Sequence, residues 1–135
     1  MIEYPDGMVY NLPNCGIVAM ATCSGKPYEH TREWFRRRMK ARGNWKGRTY
    51  HTQYSEYLRE CGVWFKHSKC EKGDVPTLMT FVTLRATPGR LYAVRVSGHV
   101  MTCRNGWVMD QIQRCPVGEH YSRRRRVTDY WEIFE

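Results

Sequence analysis

The hydrophobic pattern differs between the two halves of the chain, with helical spacing first and strand-like runs later. After Asn14, residues 15–23 are apolar, glycine or cysteine, with the exception of Thr22. A helix without a polar face is a buried helix, and Asn14 is a favoured residue for the position just before a helix. The pattern therefore predicts a buried helix that begins at Cys15 and ends near Gly25.

Two further helices are expected before the chain changes to strands. The second should open at Pro27, because proline is tolerated in the first helical turn, and it should end at Gly43. The third should lie between Thr52 as its cap and Gly62 as the residue after its end. Apolar residues recur in it at helical spacing, at Tyr54, Tyr57, Leu58 and Cys61.

The rest of the chain is mainly typical of an antiparallel sheet. Asn105 and Gly106 form the strongest two-residue hairpin signal that a sequence offers. The segment 77–84 fits a strand by composition and a helix by spacing. The arginine-rich end, 123–134, is expected to be an edge strand, because charged residues protect sheet edges. Further strands are expected at residues 63–66, 90–96, 99–103 and 107–110.

Composition narrows the class of protein. The chain has 135 residues and is 41% hydrophobic, which suits one domain over residues 1–135 with its own core. No apolar run is long enough to cross a bilayer, and the N-terminus lacks the layout of a signal peptide. We therefore expect a cytoplasmic protein without membrane contact, whose six cysteines stay reduced.

Charge adds a second expectation, because 22 basic residues stand against 13 acidic ones and give a net charge of +9. Such a balance indicates an acidic protein or peptide partner, a nucleic acid, or simply a solvated surface. The sequence does not indicate an oligomeric state. The candidate basic partner surface consists of Arg36, Arg37, Arg38, Lys40, Arg123, Arg124, Arg125 and Arg126.

No metal or cofactor is expected. The chain has no Cys-x2-Cys pair of the kind that zinc sites use, and it has no phosphate-binding glycine loop or dinucleotide fingerprint. The residues considered and rejected as zinc ligands are Cys61, His67, Cys70, Cys103, Cys115 and His120.

The candidate chemistry begins with Cys15 in the first turn of the predicted buried helix. Unpaired N–H groups and the positive end of the helix dipole stabilise an anion there, so the thiol should ionise easily. The alternative is that Cys15 is only a small buried residue, as most free cysteines are.

The predicted hairpin supplies two possible partners for the thiol. In its register, His99 and Asp110 share one face as diagonal neighbours, roughly 7–8 Å apart between backbones. A carboxylate beside an imidazole fixes its tautomer and leaves the other ring nitrogen for a thiol.

Several segments resemble small papain-like cysteine peptidase-fold proteins that are common in bacteriophages. Residues 11–19 with 25–28 look like their nucleophile segment, and residues 88–100 and 105–110 look like their histidine strand and closing hairpin. The likeness covers about residues 11–28 and 75–110. It implies a papain-like α+β fold, with N-terminal helices packed on a C-terminal antiparallel sheet, and it favours a helix at 77–84.

Within that resemblance Cys15 would be the nucleophile, His99 the general base and Asp110 the residue that orients the base. Papain-like peptidases usually place an oxyanion-hole glutamine several residues before the cysteine, and none precedes Cys15 here. Asn11 and Asn14 are the candidate replacements, together with the backbone N–H of Cys15. Asn14 also stands where such phage proteins often have an aspartate.

The sequence thus predicts a cysteine peptidase or amidase that acts on a peptide or isopeptide amide without a cofactor. The protein would act in the cytoplasm of an infected bacterium. The alternative is a papain-like fold that has lost catalysis and binds nucleic acid or protein through its basic residues.

Overall fold

The apolar segment after Asn14 forms the central helix of the protein. The computed structural model describes residues 2–135, and in it helix α1 spans Cys15–Ser24 with most of its residues buried. Gly25 ends the helix in the left-handed conformation (φ 72°), from which its N–H donates to the carbonyl of Ala21. Both bounds are those that the sequence predicts.

Helices α2 and α3 span Tyr28–Met39 and Tyr54–Glu60. Helix α2 ends before the predicted Gly43, because Lys40 already adopts a left-handed conformation (φ 55°) and its N–H bonds back to the carbonyl of Arg37. The expected cap at Thr52 is also wrong. Thr52 lies inside a 3-10 turn that precedes α3, and no side chain caps that helix.

The second half of the chain forms a six-stranded sheet in which all neighbours are antiparallel. The ambiguous segment after Thr77 is helical: α4 covers Leu78–Thr80 and continues as a π-helical turn over Phe81–Arg85. The sequence pattern does not predict β5, and it underestimates the length of β1. The strands, in the spatial order β1-β6-β2-β3-β4-β5, are β1 Trp64–Lys69, β2 Leu91–Val96, β3 His99–Arg104, β4 Trp107–Met109, β5 Arg114–Pro116 and β6 Val127–Phe134.

The last strand is not the edge strand that its arginines predict. Strand β6 lies between β1 and β2, and its alternate residues from Val127 to Ile133 are buried. Arg123–Arg125 lie in the turns before the strand, and Arg126 forms an isolated β-bridge with Thr77. They therefore protect no sheet edge, and the edges are β1 and β5.

The sheet separates two hydrophobic clusters, so the fold is α+β with helices on both faces. Helices α1 to α3 cover one face, where Met20 and Tyr57 pack near Trp131 of β6. The other face is covered by α4 and the turn after it, through Leu78 and Phe81. No helix among residues 2–135 is long and apolar enough to cross a membrane.

The segment that joins α2 to α3 passes close to the start of α1. A Cβ atom built on Gly16 would lie 2.0 Å from Thr49 Oγ1 and 2.2 Å from the Tyr54 hydroxyl. On the other side, a Cβ on Gly47 would lie 2.9 Å from the Cβ of Asn14, and Gly47 has a positive φ of 106°. The connecting segment is thus fitted against the first turn of α1 through two glycines.

This close fit gives a prediction for stability. Gly16→Ala should lower the free energy of unfolding by about 1–3 kcal/mol, because the new methyl group overlaps two hydroxyls that must move. Gly118→Ala is the matched control, since a Cβ there meets only the Met79 Cε at 3.9 Å. Urea denaturation measures both, and equal midpoints for the two variants would contradict the close contact.

Candidate active site

The first residue of α1 and the first residue of β3 meet in one cavity. Helix α1 packs on β3, and Cys15 and His99 both line a cavity of about 490 Å³. The structure therefore brings together the thiol and the imidazole that the sequence places 84 positions apart.

The hairpin register brings the predicted carboxylate to this pair. Thr102 pairs with Met109, and the pairing continues to the tight turn at Asn105 and Gly106, as the sequence predicts. Asp110 follows directly after β4. Its Oδ2 lies 2.8 Å from His99 Nε2. Nδ1 is then the ring nitrogen that remains for the thiol.

Asp110 is almost fully buried, at 1% exposure, and its carboxylate is satisfied on both oxygens. Oδ1 accepts the backbone N–H groups of Ile112 (2.9 Å) and Gln113 (3.0 Å). Burial opposes ionisation, but the hydrogen bonds to Oδ1 and Oδ2 outweigh it and hold the pKa of Asp110 well below its usual range. Asp110 is therefore a carboxylate at neutral pH.

Two residues that sequence reasoning missed also bind this carboxylate. His120 is fully buried; its Nε2 lies 3.2 Å from Asp110 Oδ2, and its Nδ1 accepts the N–H of Ser122 at 3.0 Å. The ring proton is thus on Nε2, which donates to the carboxylate. The Tyr121 hydroxyl donates to the same oxygen and lies 3.2 Å from His99 Nε2. Both residues are in the segment between β5 and β6, where no periodicity signals their role.

The pKa shifts of the thiol and the imidazole favour an ion pair. Burial would raise the pKa of Cys15, but interaction with His99 and hydrogen bonds from the backbone of Val100 and Gly16 lower it below its usual value. Burial would lower the pKa of His99, but hydrogen bonds to Asp110 and Cys15 raise it to about 9. The two shifts run in opposite directions, as a thiolate beside an imidazolium requires.

The environment of Cys15 differs from that of the other thiols. All six cysteines are free. Burial raises the pKa of Cys103 to about 12 and raises the pKa values of Cys23, Cys70 and Cys115 as well. Across residues 2–135, no three His, Cys, Asp or Glu side chains are grouped as a metal site requires.

The two asparagines expected to stabilise an oxyanion do not face the cavity. Asn14 is fully buried, and its amide nitrogen donates to the Val9 carbonyl (3.1 Å) and the Tyr28 hydroxyl (2.7 Å), so it has no hydrogen left for a substrate. Asn11 is exposed outside the cavity lining, and its backbone N–H binds the carbonyl of Gln111. The geometry favours neither side chain as the donor.

Other donors are better placed. Val18 N–H is the first to bond back within α1, to Asn14 O, so the N–H of Cys15 has no acceptor in the helix, whereas that of Gly16 binds the Cys15 sulfur. Gln111 also lines the cavity, and the N–H of its side-chain amide is a further candidate donor. A glutamine thus shares the cavity with the thiol, although it follows the histidine in the chain.

The basic residues separate into two groups. On α2, Arg36 and Arg38 form ion pairs with Glu33 and Glu56. The segment Arg123–Arg126 instead uses backbone carbonyls as acceptors: Arg123, Arg125 and Arg126 donate to those of His120, Ser97 and Val75. Within residues 2–135, none of these four arginines has a carboxylate within 4.0 Å, whereas the α2 cluster is partly neutralised. Arg125 therefore binds the chain one residue before Gly98, which lines the cavity.

The role of Asp110 can be measured by titration. Asp110→Asn should move the midpoint of His99 from about pH 9 toward the ordinary histidine range, because the carboxylate that stabilises the imidazolium is lost. NMR chemical shifts of the His99 ring against pH give the midpoint.

The matched control is Glu132→Gln, which removes a different carboxylate that is part-buried; Glu132 binds Arg90, and neither residue lines the cavity. This variant should leave the His99 midpoint near 9. An unchanged His99 midpoint in Asp110→Asn would contradict the assignment.

Comparison of the chain with known protein families, with curated proteins and with solved structures finds no match in any of the three.

Proposed function

We propose that the chain is a cysteine hydrolase of the papain-like class that cleaves a peptide or isopeptide amide. One observation carries this proposal: a thiol of lowered pKa at a helix N-terminus shares a cavity with an imidazole bound to a buried carboxylate. The chain order of the residues, with the nucleophile first and the orienting residue last, supports the same class. So does a buried helix packed on an antiparallel sheet.

Acylation would start from the Cys15 thiolate. The sulfur attacks the amide carbonyl carbon, a C–S bond forms, and the carbonyl π electrons move onto the oxygen. The backbone N–H of Cys15 and the side-chain amide N–H of Gln111, which lines the cavity, would stabilise this oxyanion. His99 then gives its proton to the amide nitrogen, the C–N bond breaks and the carbonyl forms again. The amine leaves, and the acyl group stays on Cys15 as a thioester.

Deacylation would use the same groups, with His99 now acting as the base instead of the acid. Neutral His99 takes a proton from water, the resulting hydroxide attacks the thioester carbonyl, and the C–S bond breaks to release a carboxylic acid. Asp110 does not exchange protons in this scheme. It holds the ring tautomer and stabilises the imidazolium, and His120 and Tyr121 keep the carboxylate in place.

The setting of this activity is part of the proposal. We place it in the cytoplasm of a phage-infected bacterium, on the basis of the resemblance of residues 11–28 and 75–110. An acidic protein or peptide is the proposed partner, because the net charge is +9 and Arg123–Arg126 have no carboxylate partners among the described residues, with Arg125 bound to Ser97, next to the cavity-lining Gly98.

The experiment that tests the proposal is competitive alkylation. At mildly acidic pH, iodoacetamide should label Cys15 ahead of the other five cysteines, because its lowered pKa leaves more thiolate. Peptide mass spectrometry measures the rate at each site. His99→Gln should slow labelling of Cys15 alone, whereas uniform labelling or labelling of Cys70 first would contradict the proposal.

The second candidate is a binding module for nucleic acid, which the unneutralised segment Arg123–Arg126 favours. Binding of arbitrary duplex DNA should then weaken steeply with salt, by about one unit of log–log slope for each phosphate contact. Substituting Arg124 and Arg126 by Gln should reduce that slope, with Arg36 and Arg37 to Gln as the control. Absence of binding at low salt removes this candidate.

A further inference from the structure

The described residues that line the cavity include several basic ones and none that is acidic. Beside the thiol and the imidazole, the wall contains two arginines and a second histidine, and none of the described residues that line it is an aspartate or glutamate. Its volume of about 490 Å³ lies within the range of about 300–1,000 Å³ that small-ligand sites occupy. The basic residues of the wall that the catalytic scheme does not use are Arg48, His51 and Arg95. Burial and the neighbouring Arg95 lower the pKa of His51, so the two arginines carry the positive charge.

Arg95 is held in place by the buried carboxylate of Asp129. Its Nε donates to Asp129 Oδ1 at 2.6 Å, and the other oxygen of this buried carboxylate binds His67 Nε2 at 2.7 Å. The His67 ring stacks on Trp131 with ring centroids 4.2 Å apart. Only Nε of the guanidinium is used in this way, so both Nη groups remain for a ligand in the cavity.

Arg48 reaches the cavity from the segment fitted against α1. Gly47 sets the course of the chain beside Asn14, and the carbonyl of Arg48 accepts the indole N–H of Trp45 at 3.0 Å. The Arg48 side chain is exposed, and within the described part of the chain no carboxylate lies within 4.0 Å of it. Its charge therefore has no internal counterion.

The charges around the nucleophile sum to a positive value. The thiolate of Cys15 and the imidazolium of His99 cancel, as do Arg95 and Asp129. Arg48 and Arg125, which binds the carbonyl of Ser97, then contribute two positive charges against the one negative charge of Asp110, which lies behind His99 and outside the cavity lining, so the sum is +1. A substrate that carries an anion would supply the missing counterion.

We propose that Arg48 and Arg95 form a carboxylate-binding subsite beside Cys15, so that the substrate amide has an acidic side chain or a terminal carboxylate next to the bond that is cleaved. This inference rests on the proposed function and specifies its substrate class. The two oxygens of a carboxylate match the planar, paired N–H groups that a guanidinium presents. The subsite differs from the basic residues of α2 and of Arg123–Arg126, because Arg48 and Arg95 line the cavity itself.

Two reagents of nearly equal shape test the subsite. Iodoacetate carries a carboxylate and iodoacetamide a neutral amide; with either, the Cys15 sulfur forms a bond to the methylene carbon, the C–I bond breaks and iodide leaves. The ratio of the two rate constants, measured on the Cys15 peptide by mass spectrometry at low salt, reports recognition of the carboxylate. The part of the ratio that is due to His99 is common to all variants.

Arg48→Gln should lower the iodoacetate-to-iodoacetamide ratio by about three- to tenfold, because a charge close to the bound carboxylate is lost. Arg48→Glu should lower it further. Arg42→Gln is the control: it removes the same charge from an exposed arginine outside the cavity lining, and it should leave the ratio unchanged.

The source of the carboxylate is tested by protection. Acetyl-aspartyl amide presents a side-chain carboxylate and acetyl-glycine a terminal one, and the compound that slows alkylation of Cys15 in the wild type but not in Arg48→Glu identifies the source. Equal ratios in the wild type and both Arg48 variants, with Cys15 still labelled first by iodoacetamide, overturn the subsite and leave the proposed hydrolase standing. Failure of Cys15 to react ahead of the other cysteines overturns both.

Discussion

The buried carboxylate of Asp110 is the constraint on which the arrangement of the site depends. A charge at 1% exposure costs several kcal/mol unless it is fully hydrogen-bonded. Here the donors come from three parts of the chain: β3 through His99, the turn after β4 through two backbone N–H groups, and the segment before β6 through His120 and Tyr121. The carboxylate thus joins the hairpin to the C-terminal segment, and the orientation of the imidazole follows from that junction.

The parts that the sequence predicts well are those fixed by local geometry. The bounds of α1 follow from an uninterrupted apolar run and a glycine stop, and the register of the β3–β4 hairpin follows from Asn105 and Gly106. Once that register is set, the alternation of side chains places His99 and Asp110 on one face. The pairing of these two residues can therefore be predicted from about a dozen consecutive positions of the sequence.

The rest depends on contacts between distant segments. The central position of β6 is set by its pairing with β1 and β2, which no local pattern of charge or hydropathy encodes. His120 and Gln111 lie in irregular segments, so neither has a periodic signal. The position of Asn14 before Cys15 suggests an oxyanion donor, but its amide donates to the Val9 carbonyl and the Tyr28 hydroxyl instead. The Tyr28 contact depends on the packing of α2 against α1, which the local sequence does not encode.

The cavity is built from two kinds of wall. His99 and Arg95 stand on paired strands, whereas Arg48 belongs to an irregular segment between α2 and α3 that is attached to α1 at Gly47 and Thr49. Residues on the strands cannot change place without disturbing the sheet, and Gly47 and Thr49 fix the irregular segment against α1, but the exposed Arg48 between them can be exchanged at little cost to the core. If the proposed function holds, the reacting groups and Arg48 lie on separate elements, and exchange of Arg48 alone would change the preference for an anionic substrate while the reacting groups stay in position.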